Sequence, residues 1–277
     1  MNEQSFLNQV NQCMIEYQSD LSSSLSIPME DILLMQKGKR YRSLFLYYNP
    51  NIYSTELKVR YASYIELIHT ASLLHDDIID HSNQRRGLPT LNSLYSLSTP
   101  ISVGFYLFSK SIIFLSKENS VVYSAFCDAL KKMSLGQIYE IQNQHSSFKG
   151  YLQIISLKTS PLFALASGIV ETNFSIDESQ LGYHYGIAFQ MIDDVLDYMG
   201  DQEVMDKPLH LDIQSDLYTL PIILEKKGVR EDQIYLNCRK IIDRTIETCK
   251  RHRSSVYYTK PIQKLVDYST KIRMKKQ

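Results

Sequence analysis

Apolar residues recur along this chain at three- and four-residue steps: Ile65, Ile68, Ala71, Leu74 and Ile78 in one stretch, Ile234, Cys238, Ile242 and Ile246 in another. That spacing is the period of one helix face, whereas a half-buried strand would alternate. Glycine and proline, which interrupt regular structure, are missing from residues 51–86, 105–135 and 229–260, so long helices are predicted there. Short alternating runs closed by turn pairs such as Asn-Gly do not occur. The pattern predicts an all-α protein. With no linker rich in proline, glycine or serine, residues 1–277 are read as a single domain with a basic, fraying tail at about 271–277.

Composition narrows the partners. Hydrophobic residues make up 44% and charged ones 22%, too apolar for a disordered chain. Basic and acidic residues balance at 30 each, so no global field points to nucleic acid or a membrane surface, and membrane contact is expected to be peripheral at most. Any anionic ligand must be held by local clusters. The four cysteines, Cys13, Cys127, Cys238 and Cys249, show no CxxC spacing and fit a reducing compartment. The start MNEQSFLNQV carries no basic region followed by an apolar core, and no run of about 18 apolar residues occurs, so a cytoplasmic location is expected.

The chemistry concentrates in two segments, LLHDDIIDHSNQRRGLPT at 73–90 and AFQMIDDVLDYM at 188–199. Asp76, Asp77 and Asp80 recur in type and spacing as Asp193, Asp194 and Asp197. On a helix, residues four apart share a face, so Asp76 pairs with Asp80 and Asp193 with Asp197. Three carboxylates so close repel one another unless a cation neutralises them. A solvated charged face is the alternative, but both clusters sit among Leu, Ile and Val rather than Lys and Glu. Hard oxygen ligands of this kind suit magnesium, which brings substrate phosphates into its remaining positions. Arg85 and Arg86 follow the first cluster, and guanidinium is the side chain best matched to bidentate phosphate recognition. Gly87 and Pro89 predict a turn that aims them back at the carboxylates. KGKRYR at 37–42 and Lys158-Thr159 before Pro161 add further basic spots. His69 lies two helical turns before Asp76 and shares its face, whereas His75 fits a structural role.

From GKRYR at 38 to TLP at 219–221, these motifs make the chain resemble the trans-isoprenyl diphosphate synthases, the polyprenyl synthetase family, and specifically its medium- and long-chain bacterial members. The resemblance implies a single bundle of long helices around a central cavity, with the two DDxxD motifs facing each other across its mouth. It implies three magnesium ions bridging an allylic diphosphate to Asp76, Asp80 and Asp193, supported by Asp77, Asp194 and Asp197. Arg85, Lys158, Thr159, Gln190 and Lys207 match positions that contact the allylic substrate. Lys39, Arg42, His69 and Arg86 match those that bind isopentenyl diphosphate. The implied reaction condenses the two substrates head to tail after diphosphate leaves. Ala71 and Ser72, five and four residues before Asp76, are small where short-chain enzymes place an aromatic floor. They imply a product of geranylgeranyl size or longer.

The chain departs from the family pattern at three places. Phe105 stands where an aspartate is usual, Asp216-Leu217 replaces a Gly-Lys pair, and Gln137 and Glu140 in GQIYE exchange the order of Gly-Glu-x-x-Gln. Similar enzymes are homodimers, and some pair with a dissimilar small subunit. A prenyltransferase for a peptide acceptor and a non-catalytic subunit that binds isoprenoid diphosphates are the competing readings. The terpene cyclases are a poorer match, since their second motif is not another DDxxD.

Overall fold

A computed structural model describes residues 1–25, 38–85, 87–142, 147–199 and 218–272. The described chain is all-α apart from two minimal two-stranded hairpins, and it divides into two compact units, Met1–Ser124 with Val170–Phe174, and Ala125–Ile169 with Ser175–Gln277.

In the first unit, α1 (Glu3–Leu25), α2 (Tyr41–Tyr48) and α5 (Ser98–Leu115) pack around α3 (Thr55–Ile79), with the single turn α4 (Leu91–Leu94) leading into α5. Ser54 starts α3 by accepting the Leu57 N–H on its hydroxyl at 3.2 Å, satisfying one of the free donors of the first turn. The predicted face of α3 is buried at Ile65, Ile68, Ala71 and Leu74, against Phe6, Val10 and Met14 of α1 and Leu44, Phe45 and Leu46 of α2 within one core. Each such Ile or Leu contributes about 1.5–3 kcal/mol relative to exposure.

The glycine-free window at 105–135 is not one helix. It holds the end of α5 and most of α6 (Ser120–Ile141), because Asn119 accepts the Val121 N–H on its own side chain at 2.8 Å and so caps a new start. Short polar side chains that bond the local backbone break helices without glycine or proline. By length and composition α5 is apolar enough to cross a membrane, although Ser, Thr, Pro and Gly break up its apolar run.

In the second unit, α9 (Ile176–Met199) is the central helix, and α7 (Phe148–Lys158), α8 (Ser160–Gly168), α10 (Leu220–Lys226), α11 (Glu231–Arg251) and α12 (Thr259–Ser269) pack on it. A side chain at Gly182 would place its Cβ 2.0 Å from the Phe163 carbonyl oxygen, so glycine is what lets α8 and α9 approach this closely. The buried stripe of α11 is the predicted one, Ile234, Cys238, Ile242 and Ile246, with Cys249 added. All four cysteines are free thiols.

Candidate active site

The first aspartate motif closes α3. Asp76 is half-buried, Asp77 is buried, and Asp80 is the C-cap rather than part of the helix, its N–H donating to the Asp76 carbonyl at 2.8 Å. The chain then reverses through β1 (Gln84–Arg85) and β2 (Leu88–Pro89), with Gly87 at φ 72° in the left-handed region that glycine enters without strain. Thr90 Oγ1 and Asn92 Nδ2 both donate to the Ser82 carbonyl, at 2.7 and 2.9 Å, and fix this reversal. The predicted turn therefore exists and carries Arg85 back to the helix. It does so onto Asp77: Nε donates to Oδ1 at 2.8 Å, and Nη2 lies 2.7 Å from the same oxygen. Arg86 lies outside the described residues.

Upstream, Arg40 and Arg42 of the KGKRYR segment lie along α3. Arg40 is the N-cap of α2 with φ 50°, and its Nη1 meets Glu66 Oε2 at 2.6 Å while Ser43 Oγ donates to Glu66 Oε1 at 2.6 Å. Glu66 is 2% exposed. Burial alone would push its carboxyl up, but the charges of Arg40 and Arg42 and the Ser43 hydroxyl outweigh burial and hold it below the usual carboxylate value. Three residues further along α3, Arg42 Nη1 lies 3.0 Å from His69 Nε2. Arg42 and His69, both singled out from the sequence, are thus brought together. Lys39 is exposed. The Arg40–Glu66 pair was missed by the sequence reading, although a lone glutamate inside IELIH, opposite a basic segment, was its signal. His75 is structural, as expected: its Nε2 lies 3.3 Å from the Ile101 carbonyl oxygen, and its ring faces Phe105 and Phe108.

The second motif lies in the last turns of α9, with Asp197 inside the helix rather than capping it. Asp193 is half-buried, whereas Asp194 is 5% and Asp197 0% exposed. Asp194 accepts from Gln190 Nε2 at 2.8 Å and from the Tyr151 hydroxyl at 2.7 Å, and Gln190 in turn accepts from Thr159 Oγ1 at 2.7 Å. Asp193 Oδ1 accepts the Tyr268 hydroxyl at 2.5 Å. Cys238 reports the local field: burial first, then the negative charge of Asp194, push its thiol up to about 12, so it stays protonated beside the motif.

Lys158 ends α7, and Pro161 at the start of α8 forces the break in which Thr159 serves both helices. The Lys158 ammonium is paired with Glu140, which also accepts from Gln137 Nε2 at 3.1 Å. Gln137 and Glu140, which looked like a departure from a pattern, together form the mount for Lys158. Tyr151, Tyr268 and this role of Glu140 were not found from sequence. Lys207 and the Asp216-Leu217 departure lie outside the described residues.

In each motif, then, the first aspartate is half-buried and the second is buried and anchored, by Arg85 in one unit and by Gln190 and Tyr151 in the other. Among the described residues no three His, Cys, Asp or Glu side chains converge into an all-protein cage. Magnesium does not need one, since it binds through one or two carboxylates plus substrate phosphates. Within each unit the carboxylate oxygens, those of Asp76 and Asp80 in the first and of Asp193 in the second, are of the kind that mode uses.

Comparison with known proteins adds four findings. The all-trans-nonaprenyl-diphosphate synthase (geranyl-diphosphate specific) of Rhodobacter capsulatus is 34% identical over 196 residues, which are 68% of this chain and 59% of that protein. The chain thus spans about three fifths of that relative's length. A solved decaprenyl diphosphate synthase from Rhodobacter capsulatus superposes with TM-score 0.81 at 24% identity, covering 97% of each chain. A polyprenyl synthase from Caulobacter crescentus, solved with calcium and isoprenyl diphosphate, superposes with TM-score 0.76 at 24% identity over 97% of this chain and 95% of that one. The polyprenyl synthetase family pattern matches residues 24–256, through both aspartate motifs and both units, and the chain belongs to the polyprenyl synthetase family.

Proposed function

We propose that the chain is a magnesium-dependent trans-prenyltransferase that condenses isopentenyl diphosphate with an allylic diphosphate to a product of geranylgeranyl size or longer. The observation that carries this is the matched asymmetry of the two DDxxD motifs. A merely solvated acidic face has no reason to bury and anchor the second aspartate of each motif while leaving the first half-buried. The nonaprenyl-diphosphate relative supports the long-chain reading, and a fold neighbour bound to calcium and an isoprenyl diphosphate supports the divalent metal.

Bound magnesium, proposed as three ions, would stabilise negative charge on the departing diphosphate. Asp76, Asp80 and Asp193 hold the cations in this reading. Lys158, fixed by Glu140, presents its ammonium to the allylic diphosphate, and Thr159 and Gln190 orient Asp194 beside it. Arg85 assists through Asp77, and Lys207 is assigned to the same substrate. Lys39, Arg42, His69 and Arg86 are assigned to isopentenyl diphosphate. Apolar residues around both motifs exclude water from the allylic cation. Ala71, buried in the α3 core, and Ser72 leave the product space open.

The family match running through both units supports reading residues 1–277 as one domain. A homodimer, or a pair with a dissimilar small subunit, and a cytoplasmic location belong to the same proposal. The test is incubation with magnesium, labelled isopentenyl diphosphate and geranyl, farnesyl or geranylgeranyl diphosphate, followed by sizing of the products. Extractable polyprenyl products of at least twenty carbons are expected. No product from any primer, with or without a candidate small subunit, overturns the reading in favour of a non-catalytic binder.

A further inference from the structure

Tyr268 lies on α12, and 75 positions separate it from Asp193, yet its hydroxyl ends 2.5 Å from Asp193 Oδ1. The tyrosine is 8% exposed and held at two points. Its ring stacks on Phe189, one turn before Asp193 on α9, with centroids 5.7 Å apart and planes at 30°. Phe189 in turn packs on Phe163 at 5.6 Å, and Phe163 on Tyr185 at 5.1 Å, so the tyrosine caps an aromatic row rooted in the core of its unit. An O–H donor at this distance from a carboxylate is a charge-assisted bond, shorter and stronger than a neutral one. It fixes the rotation of the carboxylate and takes up one oxygen, Oδ1. As phenylalanine the ring would keep its stack on Phe189.

We propose that Tyr268 is a positioning residue for the metal site, setting the orientation in which Asp193 offers its carboxylate to magnesium. The proposal rests on the prenyltransferase reading above, which makes Asp193 a metal ligand. Groups that orient a metal's ligands by hydrogen bonding typically change metal affinity by about 10- to 100-fold when removed. A carboxylate freed to rotate must be ordered each time the cation binds, so metal affinity carries the effect.

The experiment uses the full-length protein and Tyr268→Phe, which keeps the ring and its stack on Phe189. Magnesium binding is measured by calorimetry with the unreactive geranyl thiodiphosphate present, and the magnesium dependence of turnover is measured alongside. The expected result is a magnesium half-saturation raised by about 10- to 100-fold, with an unchanged melting temperature and turnover largely recovered at saturating magnesium. A half-saturation equal to that of the unsubstituted protein overturns the proposal, as does a turnover defect that magnesium does not rescue. Asp193→Ala separates this failure from failure of the reading beneath it. If Asp193→Ala abolishes magnesium binding and Tyr268→Phe leaves it untouched, only the positioning role is wrong. If neither change alters magnesium binding, the assignment of Asp193 to a metal is wrong as well.

Discussion

Arg42 points its Nη1 at Nε2 of His69 across 3.0 Å, joining the start of α2 to the middle of α3. Guanidinium only donates, so Nε2 is the acceptor in this contact and an imidazole proton sits on Nδ1. His69 thereby positions the arginine through Nε2. Beside it Arg40 is tied to Glu66, which divides the basic segment into a structural arginine and a candidate anion-binding one.

That division predicts the behaviour of His69 variants. His69→Phe removes the acceptor and should raise the KM for isopentenyl diphosphate about 10- to 100-fold, the equivalent of a charge-assisted bond of about 1.5–3 kcal/mol. His69→Gln keeps an acceptor and should recover much of the loss, while the KM for the allylic substrate stays nearly constant. Steady-state kinetics with each substrate varied in turn checks this, and an equal rise in both KM values would contradict it.

Arg85 and Asp77 should behave as one stabilising unit. Asp77 is only 5% exposed at its side chain, so Arg85→Ala strands a buried carboxylate at a cost of about 3–5 kcal/mol. Adding Asp77→Asn to that variant should restore much of the stability. Thermal unfolding of the two single variants and the double gives the coupling, and additive losses would show that the pair is not an anchor.

Gly136 governs where Lys158 sits. A Cβ there would come within 2.6 Å of the Lys158 backbone nitrogen, so Gly136→Ala must push α6 away from α7. Overpacking of this kind destabilises by about 1–3 kcal/mol. The KM for the allylic diphosphate should rise together with the loss of melting temperature, because the displaced backbone carries the ammonium. A stable, fully active variant would mean that the two helices yield without moving Lys158.

Glu66 should make stability depend on acid. Its carboxyl is held below the ordinary value of 4.5, so the folded state binds its proton less readily than the unfolded state does. The resulting stabilisation is complete above about pH 4.5 and disappears as the pH falls through the depressed folded value. Melting temperature followed from pH 6 to pH 3, roughly the range over which carboxylates titrate, should fall more steeply for the unsubstituted protein than for Glu66→Gln. Parallel slopes would remove Glu66 from the account.

Much of the fold was legible because helix periodicity is a local property. The buried stripe of α11 is the one that the three- and four-residue steps named, whereas α3 buries Ile65, Ile68, Ala71 and Leu74 of its named face but not Ile78, and is buried all round from Tyr61 to Ile68. Helix ends were less legible: the break at Ser116–Asn119 depends on one asparagine side chain accepting the Val121 N–H, a signal weaker than glycine or proline. The aspartates of both motifs stood out through charge set in apolar surroundings. Their supports did not, since Tyr151 and Tyr268 are two of 20 tyrosines with nothing local to distinguish them.

The sequence by itself determined the helical class, the two carboxylate motifs, the basic segments around them and the family to which the chain belongs. All of these follow from residue type and near-neighbour spacing. Only the tertiary structure decided which carboxylates are committed to protein partners: Asp77 to Arg85, Asp194 to Gln190 and Tyr151, Asp193 to Tyr268, and Glu140 to Lys158. The physical reason is that a hydrogen bond acts over about 3 Å, and which side chains come that close is set by how helices distant in sequence pack against one another.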